Sequence, residues 1–213
     1  MRIKGNFKWS MIRLRYLEPR HFMAYFPAFI KLDGKKILLV GGGNIAGEKL
    51  EKLLDFTKEI TVIAPEISDT VRTMAETNGL TLHQRPYRPE DIEGYFVVIV
   101  AVDDLSLQKE IYDACQMRHT LCNSVDSVDY CDFIFPSYTK KGALTVAFST
   151  SGISPSVAKY LRRAIETVIP DSVADFLEEM KQLRASLPKG KERMKLLDEK
   201  ARIYIDNLFK KGQ

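Results

Sequence analysis

The chain has 213 residues, of which 45% are hydrophobic and 28% charged, a balance typical of a globular protein rather than a disordered or fibrous one. Its formal net charge of +4 is mild and does not indicate nucleic acid as a partner, which demands a concentrated basic stripe. The longest apolar runs, such as residues 96–102, are too short to cross a bilayer, so we expect no membrane span. At this length the chain can hold one ordinary domain and a smaller one.

The cysteines and the first residues bear on the compartment. Cys115, Cys122 and Cys131 are an odd number without CxxC spacing, which predicts free thiols in a reducing cytoplasm and disfavours a disulfide framework or a metal site. Residues 1–22 are basic and lack the apolar segment and cleavage site of a secretory signal. They are interpreted as a flexible leader or as the product of an upstream start codon, and no function is expected there.

A glycine-rich turn follows the first predicted strand. Residues Ile37–Val40 form a short apolar run, and after the glycines apolar residues recur at near-helical spacing, which predicts a helix from about Asn44. The order of strand, Gly-x-Gly-x-x-Ala and helix is typical of a dinucleotide-binding turn. Gly41 permits the tight turn, Gly43 lets the backbone approach a pyrophosphate, and Ala46 keeps the helix close to the strand.

Such a turn also requires an acidic residue about 20 positions further on. Residues Ile60–Ala64 form the second predicted strand, and Glu66 follows it. A carboxylate there accepts hydrogen bonds from the ribose hydroxyls and repels a 2′-phosphate, and no arginine comes directly after it, so NAD is favoured over NADP as the cofactor. The alternative is that Glu66 caps a helix that begins near Ser68.

Three more strands are predicted, at residues 80–82, 95–102 and 120–125, with helical patterns between them. Strands that alternate with helices imply a parallel sheet with right-handed crossovers, so we predict an α/β, Rossmann-like fold. Ligands of such sheets bind beyond the carboxyl ends of the strands. Candidate site residues are therefore expected at the glycine turn, at residues 102–104 and at residues 123–126.

Aspartates follow both the fourth and the fifth strands. Asp103 and Asp104 precede a predicted helix, so an N-cap is the favoured role for this pair. The backbone of Val102 and Asp103 is a candidate to line the nicotinamide side of the cofactor. Asp126 lies in a run of turn-forming residues, so it is either a turn residue or an acid/base group.

Beyond Asp126 the hydrophobic pattern changes. Residues 133–138 and 144–149 are apolar and flank Lys140-Lys141-Gly142, which predicts a β-hairpin. Because these strands exceed what a small domain buries alone, a dimer interface is the favoured explanation, and packing on the chain's own helices is the alternative.

A helix opens at Ser154-Pro155, and two more helical stripes follow from residue 171, separated by a linker at residues 187–190. Lys159, Arg162 and Arg163 share a face of the first of these helices, either as a solvated surface or as the rim of a site for an anionic ligand. Its apolar positions are predicted to face a core; they are Val157, Leu161, Ala164, Ile165 and Val168.

The order of motifs resembles a known family. VGGGNIAGEKLEKLL, TVIAPE, AVDD, CNSVD, FIFPS and VAFSTSGISPSVAKYLR follow one another as in precorrin-2 dehydrogenase, the dehydrogenase and sometimes chelatase module of siroheme synthase, over residues 26–170. The resemblance implies a Rossmann domain at residues 23–126, a dimerisation and substrate region at residues 127–169, and a small C-terminal helical domain at residues 170–213. It also implies a homodimer of intertwined chains.

The same resemblance implies a reaction and a set of roles. Members of the family oxidise precorrin-2 to sirohydrochlorin with NAD⁺, and some then insert Fe²⁺ as a ferrochelatase. Asp126 falls on the candidate general acid/base. Thr150 falls at the position of a serine that is phosphorylated in some siroheme synthases. Because threonine replaces that serine here, whether this position is modified is left open. The implied cofactor contacts are Asn44, Ile45, Pro65 and Glu66, beside Gly41, Gly43, Val102 and Asp103; the candidate substrate contacts are Asn123, Thr150, Ser151, Lys159 and Arg162.

Two kinds of function fit these features. The favoured hypothesis is a cytoplasmic NAD-dependent precorrin-2 dehydrogenase, for which ferrochelatase activity in the same cleft is an open addition. The alternative is a non-catalytic Rossmann module that senses NAD and regulates a partner, which leaves the motifs at residues 123–126 and 149–155 without a role.

Overall fold

The computed structural model describes residues 25–210, so the expectations for residues 1–22 lie outside the described residues. Within residues 25–210, no helix is both long and apolar enough to cross a membrane. The strands are β1 (Ile37–Val40), β2 (Ile60–Ala64), β3 (Thr81–Gln84), β4 (Val97–Val100), β5 (Leu121–Ser124), β6 (Ser137–Lys141) and β7 (Leu144–Phe148). The helices are α1 (Asn44–Leu54), α2 (Asp69–Asn78), α3 (Leu105–Met117), α4 (Pro155–Val168), α5 (Val173–Ser186) and α6 (Lys191–Lys210).

Five parallel strands form a sheet in the order β3-β2-β1-β4-β5. β1 and β4 read ILLV and VVIV and are buried along their whole length, as expected for central strands covered by helices on both faces. The strand order reverses between β1 and β4, and ligands of open α/β sheets bind at such a point. The prediction of a Rossmann-like fold is confirmed.

The core has two layers, one on each face of the sheet. On one face, Ala46 and Leu50 of α1 pack with Leu39 and Val62. On the other face, Ile111 of α3 packs among further aliphatic residues of the central strands. One face of the sheet therefore packs on α1 and the other on α3. A side chain of β5 reaches the candidate site only if it lies on the face that packs on α1.

The helix starts differ in one respect that bears on function. The Ser68 hydroxyl accepts from the Val71 N–H at 3.4 Å, and the Asp104 carboxylate accepts from the Ser106 N–H at 2.8 Å. These side chains cap α2 and α3, which confirms the N-cap role for Asp104 and shows that Ser68, not Glu66, caps α2. At α1 the N-cap residue is Gly43, which has no capping side chain, so the first N–H groups of this helix have no side-chain acceptor.

The predicted hairpin forms, but its first strand begins later than expected. β6 starts at Ser137, whereas the sequence predicted a strand from residue 133. Phe133 and Phe135 instead pack against the core layer beside α1, and Pro136 has no N–H to contribute to a ladder. Part of the apolar surface assigned to a dimer interface is thus buried against the chain's own sheet and helix.

The hairpin is fastened to the carboxyl end of α1. The Tyr138 hydroxyl donates to Asp55 Oδ2 at 2.5 Å, and the Lys140 ammonium donates to the Asp55 carbonyl at 2.6 Å. The Tyr138 ring lies 5.4 Å from the Phe56 ring, centroid to centroid. Burial and the Asp55 carboxylate raise the pKa of Tyr138, which keeps its hydroxyl protonated as a donor. This contact holds β6 beside the helix that begins at the glycine turn.

The apolar face of α4 departs from the prediction. α4 packs on β6 and β7, with Ala158 buried beneath it. Val157, Leu161 and Val168 are 49%, 47% and 40% exposed, and Ala164 is exposed as well. Only Ile165, of the five predicted core positions, is partly buried. The side of α4 that rests on the hairpin is the neighbouring one, so the predicted core stripe faces outward.

Beyond α4 the chain forms the two predicted helices. α5 and α6 pack on each other, and the rings of Phe176 and Tyr204 stack with centroids 3.9 Å apart. An ion pair of 2.7 Å joins Lys200 to Glu179. The expected domain limits at residues 126, 169 and 213 remain a prediction.

Candidate active site between the glycine turn and the hairpin

The turn after β1 is built around two glycines that admit no side chain. Gly41 has a φ of 124°, and a Cβ atom there would lie 2.2 Å from the Ala101 carbonyl oxygen. A Cβ atom on Gly42 would lie 2.2 Å from the Glu66 carbonyl oxygen. The chain therefore passes between the ends of β2 and β4 in direct backbone contact, and only glycine fits at either position.

The next residues of the turn are open. Around the position of a Cβ atom on Gly43 there is nothing within 4 Å, and Gly43, Asn44 and Ile45 are exposed. The uncapped start of α1 presents its N–H groups and the positive end of the helix dipole to this space. The residues present therefore fit a pyrophosphate, as the sequence pattern predicted.

The predicted ribose contact lies beside this opening. Pro65 and Glu66 follow β2 and are exposed, and the Glu66 carbonyl packs on Gly42. With Ser68 capping α2, the Glu66 carboxylate has no hydrogen bond or ion pair to any residue between 25 and 210. It is thus available to accept hydrogen bonds from a ribose.

A buried glutamine holds the segment after β4. Gln108 of α3 is 3% exposed, and its Nε2 donates to the Val102 carbonyl at 2.6 Å. Val102 is partly buried and Asp103 is exposed at the carboxyl edge of the sheet, where a nicotinamide contact was predicted. Sequence reasoning did not identify Gln108, because one glutamine in an amphipathic helix carries no distinctive signal.

A cleft of about 1050 Å³ lies between α1, the segment after β5, the hairpin and α4. None of the eight predicted cofactor contacts lines it, so the dinucleotide turn and the cleft are neighbouring sites. Of the predicted catalytic and substrate residues, Asp126, Asn123, Thr150, Lys159 and Arg162 line the cleft; Ser151 does not.

Asp126 lies in a loop at the carboxyl end of the sheet. Its backbone has a φ of 63°, in the left-handed region that non-glycine residues rarely adopt. Its side chain is exposed in the cleft and has no hydrogen bond or ion pair to any residue of the described range. Aspartate tolerates this conformation in turns, so the geometry accommodates the turn role and the acid/base role together.

Asn123 lies two positions before the loop and has a fixed orientation. Its Nδ2 donates to the Phe133 carbonyl at 2.8 Å, and the residue is 5% exposed. Its Oδ1 is buried without a hydrogen-bond partner in the part of the chain that the structure describes. Leu121 packs in the core layer beside α1, and side chains alternate along a strand, so Asn123 shares the α1 face with the cleft. A buried acceptor there favours a ligand that donates a hydrogen bond.

Five cationic side chains line the cleft, and two of them are engaged. Arg162 pairs with Glu166, and Lys140 donates to the Asp55 carbonyl. The other three have no ion pair within residues 25–210; they are Lys49, Lys52 and Lys159. Four carboxylates line the same cleft, so its net positive charge is small; they are Glu51, Asp55, Asp126 and Glu166. The three ammonium groups without an ion pair are the positions at which an anionic ligand can bind.

Lys49 is a partly buried member of this group of three. Its Nζ lies 4.5 Å from the centroid of the Phe135 ring. Burial lowers the pKa of Lys49, and the neighbouring Lys52 lowers it further, whereas the Asp126 carboxylate acts in the opposite direction. Lys49 is thus a half-buried cation between the cofactor helix and Asp126. The sequence predicted only that it lies on α1, because the return of residues 133–140 over this helix is a long-range feature.

Thr150 and Ser151 form the turn that leads into α4. The Thr150 hydroxyl accepts from the Ser154 N–H at 3.0 Å, and the Ser151 N–H donates to the Ser149 hydroxyl at 3.0 Å. Ser151 has a φ of 52° and is not among the residues that line the cleft. Within this turn, Thr150 is the predicted substrate contact that reaches the cleft.

Comparison with known proteins places the chain in a family. A family model described as NAD(P)-binding matches residues 28–137, more than half of the chain. The chain therefore belongs to this family of NAD(P)-binding domains, and the prediction of a nicotinamide dinucleotide cofactor is confirmed. Residues 28–137 include the glycine turn, Glu66, the segment after β4 and Asp126.

Curated relatives and a solved structure extend the comparison. Siroheme synthase of Pseudoalteromonas atlantica is 38% identical over 152 residues, 71% of this chain and 33% of the relative. Siroheme synthase of Neisseria meningitidis serogroup C is 32% identical over 182 residues, 85% of this chain and 37% of the relative. The chain thus spans about a third of the length of these relatives.

SirC, a precorrin-2 dehydrogenase of known structure, superposes with a TM-score of 0.68 and 24% identity over 87% of this chain and 100% of its own. This likeness shows a shared fold. With the curated relatives, it confirms the resemblance that the motifs indicated.

The two neighbouring glycines of the turn generate a matched test. Gly42→Ala should lower the free energy of unfolding by about 1–3 kcal/mol, because its Cβ atom meets the Glu66 carbonyl. Gly43→Ala should fold normally, since its φ of −85° suits alanine and its surroundings are open, yet it should weaken NAD⁺ binding about tenfold. Urea unfolding and NAD⁺ titration measure the two effects. Equal loss of stability in both variants, or unaltered NAD⁺ affinity in Gly43→Ala, would contradict this account.

Proposed function

We propose that the protein is an NAD-dependent dehydrogenase that oxidises precorrin-2 to sirohydrochlorin. The observation that carries this proposal is the cleft itself, which lies next to a dinucleotide-binding turn. It is lined by the Asp126 carboxylate and by three ammonium groups, none of which has an ion pair within residues 25–210. The relatives named siroheme synthase and the structural neighbour named precorrin-2 dehydrogenase support the same substrate.

The cofactor is proposed to be NAD rather than NADP. Glu66 follows β2 at the position of a ribose contact, and its carboxylate has no partner among residues 25–210. A negative charge there favours ribose hydroxyls and repels a 2′-phosphate. The pyrophosphate is assigned to Gly43 and the start of α1, and the nicotinamide side to the backbone of Val102 and Asp103. When bound, NAD⁺ supplies the hydride acceptor for the oxidation.

Asp126 is proposed as the general base. Oxidation of the macrocycle removes a hydride from one ring atom and a proton from another, so a group beside the substrate must accept that proton. The Asp126 carboxylate is exposed in the cleft and has no hydrogen bond to the described part of the chain, so it is free to do so. Asn123, with its buried acceptor oxygen two residues away, is proposed to orient the macrocycle by accepting from a pyrrole N–H.

The substrate's acidic groups are assigned to the cationic lining. Precorrin-2 carries carboxylates around its rim, and Lys49, Lys52 and Lys159 offer ammonium groups to them. Arg162 already pairs with Glu166, which neutralises its charge, so it is not counted among the groups that bind the substrate's carboxylates. Thr150 lies on the same wall, where its hydroxyl can donate to a carboxylate while it accepts from Ser154.

Iron insertion would use the same cleft. The tetrapyrrole brings its own nitrogen ligands, and the Asp126 carboxylate is in the right kind of position to accept pyrrole protons. Fe²⁺ would then be a substrate rather than a resident cofactor. A cytoplasmic location is proposed with this chemistry, and the free thiols of Cys115, Cys122 and Cys131 support a reducing compartment.

The role of Asp126 is tested by Asp126→Asn. Turnover of precorrin-2 under anaerobic conditions should fall by about 100-fold or more, because the amide cannot accept the proton, while NAD⁺ affinity stays unchanged. Asp129→Asn, an exposed carboxylate in the same loop, is the matched control and should retain activity. Full activity of Asp126→Asn would remove Asp126 from the mechanism.

The role of Lys49 is tested by Lys49→Met. Affinity for sirohydrochlorin should fall about tenfold, since one charged contact to a carboxylate is lost, with NAD⁺ affinity unchanged. Because the pKa of Lys49 is lowered, its ammonium group loses its charge at a lower pH than that of an exposed lysine. The affinity of the wild type for sirohydrochlorin should therefore begin to fall at a lower pH as the pH is raised. Lys35→Met is the control, because Lys35 also lies over an aromatic ring, that of Phe96, but outside this cleft. Equal affinities in the two variants would exclude the Lys49 contact.

A homodimer is proposed to cover the outward stripe of α4. Ile153 at 71% and Tyr160 at 65% exposure continue the apolar surface formed by Val157, Leu161 and Val168. A contiguous apolar stripe along an amphipathic helix is the kind of surface that associates with another chain. A second copy is the occupant that the family resemblance implies.

The dimer is tested by Leu161→Glu. Sedimentation equilibrium should give twice the chain mass for the wild type and a single chain for the variant, with helical circular dichroism unchanged. Thr73→Glu places the same charge on an exposed position of α2 and should leave the dimer intact. A monomeric wild type at micromolar concentration, or a dimeric Leu161→Glu, would contradict the proposal.

A further inference from the structure

The loop that carries Asp126 is closed at its base. After β5 the chain turns at residues 125–130 and returns beside the strand it has just left. Asn123 and Cys131 form an antiparallel bridge, and the Asp132 N–H donates to the Cys122 carbonyl at 2.8 Å. The Asp132 carboxylate accepts from the Cys122 N–H at 2.8 Å as well. Both ends of the loop are therefore fixed to the sheet.

The interior of the loop is spanned by one side chain. The Cys131 Sγ lies 3.1 Å from the Ser124 carbonyl oxygen and 3.2 Å from the Ser127 carbonyl oxygen. These two carbonyls stand on either side of Val125 and Asp126 in the chain. A thiol carries one proton, so it donates to either carbonyl in turn or shares the proton between them.

The loop holds its most unusual backbone conformation between those two carbonyls. Asp126 has a φ of 63°, in the left-handed region that aspartate adopts in turns but that most other non-glycine residues avoid. The Val125 N–H donates to the Val100 carbonyl at 2.9 Å, and the Tyr130 N–H to Ser127 at 3.1 Å. Within residues 25–210, the Cys131 thiol is the side chain that bridges the loop across Asp126.

The state of the thiol suits this role. Burial is the largest influence and raises the pKa of Cys131, so the group stays protonated near neutral pH and remains a donor. The Asn123 amide also contacts the sulfur, with its Nδ2 at 3.4 Å. The thiol thus connects the buried asparagine, the sheet edge and the loop.

We propose that Cys131 is a positioning residue, whose thiol bridges the Ser124 and Ser127 carbonyls and thereby holds Asp126 in its place in the cleft. The part of this inference that concerns catalysis rests on the proposed function of Asp126. The part that concerns loop geometry does not.

The first test uses the free protein and needs no substrate. Amide hydrogen exchange at residues 125–130 is compared in the wild type, Cys131→Ser and Cys131→Ala. Loss of the donor in Cys131→Ala should speed exchange in this loop about tenfold, and Cys131→Ser, which keeps a donor, should stay within about threefold of the wild type. Val71→Ala, which truncates a buried side chain of α2, is the control and should leave exchange at residues 125–130 unchanged.

The second test separates positioning from stability. In Cys131→Ala, kcat for precorrin-2 oxidation should fall by about 10-fold to 100-fold while KM and NAD⁺ affinity change less than about twofold, and Cys131→Ser should restore kcat. Alanine at position 131 leaves a void, so the same measurements are repeated on Cys131→Val, whose side chain has a similar volume to cysteine but no hydrogen-bond donor. Unchanged loop exchange in both Cys131→Ala and Cys131→Val would overturn the inference, whatever the enzyme does. Failure of the wild type to oxidise precorrin-2 would instead overturn the proposed function alone.

Discussion

The backbone contact at Gly41 and Gly42 is the constraint on which the rest of the site depends. A Cβ atom at either glycine would lie 2.2 Å from a carbonyl oxygen, one after β4 and one after β2. With no side chains between them, the turn lies directly against the strand ends where the sheet order reverses. α1 therefore starts at the sheet edge with an uncapped end that is open to a phosphate. The same helix carries Lys49 along its length, so the cofactor turn and the cleft share one rigid element.

The hairpin completes the cleft from the other end of that helix. Tyr138 and Lys140 hold β6 to Asp55 at the carboxyl end of α1, and α4 packs on the hairpin's other side. The walls of the cleft are thus positioned by long-range contacts, whereas Asp126 is positioned by a short loop closed on β5. Both sets of contacts orient groups toward one cleft. This arrangement places a cleft with a cationic lining beside a dinucleotide-binding turn.

Much of the Rossmann half could be predicted from sequence, because its signals are local. The apolar runs of β1 and β2 and the glycine spacing specify the strands and the turn within a few residues. The structure has β1 and β2 at the predicted limits, and α1 begins at the predicted residue. The hairpin and α4 could not be predicted equally well. An apolar run such as residues 133–135 is compatible with a strand and also with an irregular segment packed on the core. The pattern of an amphipathic helix does not show which part of the protein its apolar stripe packs against. Lys49 and Cys131 acquire roles only through contacts made elsewhere in the chain.

The most direct measurement is an experimental structure of the protein with NAD⁺ and sirohydrochlorin bound. The pyrophosphate should lie at Gly43 and the start of α1. The tetrapyrrole should lie in the cleft, with ring atoms at Asp126 and carboxylates at Lys49, Lys52 and Lys159. A tetrapyrrole bound elsewhere, such as in the smaller cavity lined by Lys35, Lys36 and Arg118, would contradict the proposed site. So would a complex in which Asp126 faces away from the macrocycle.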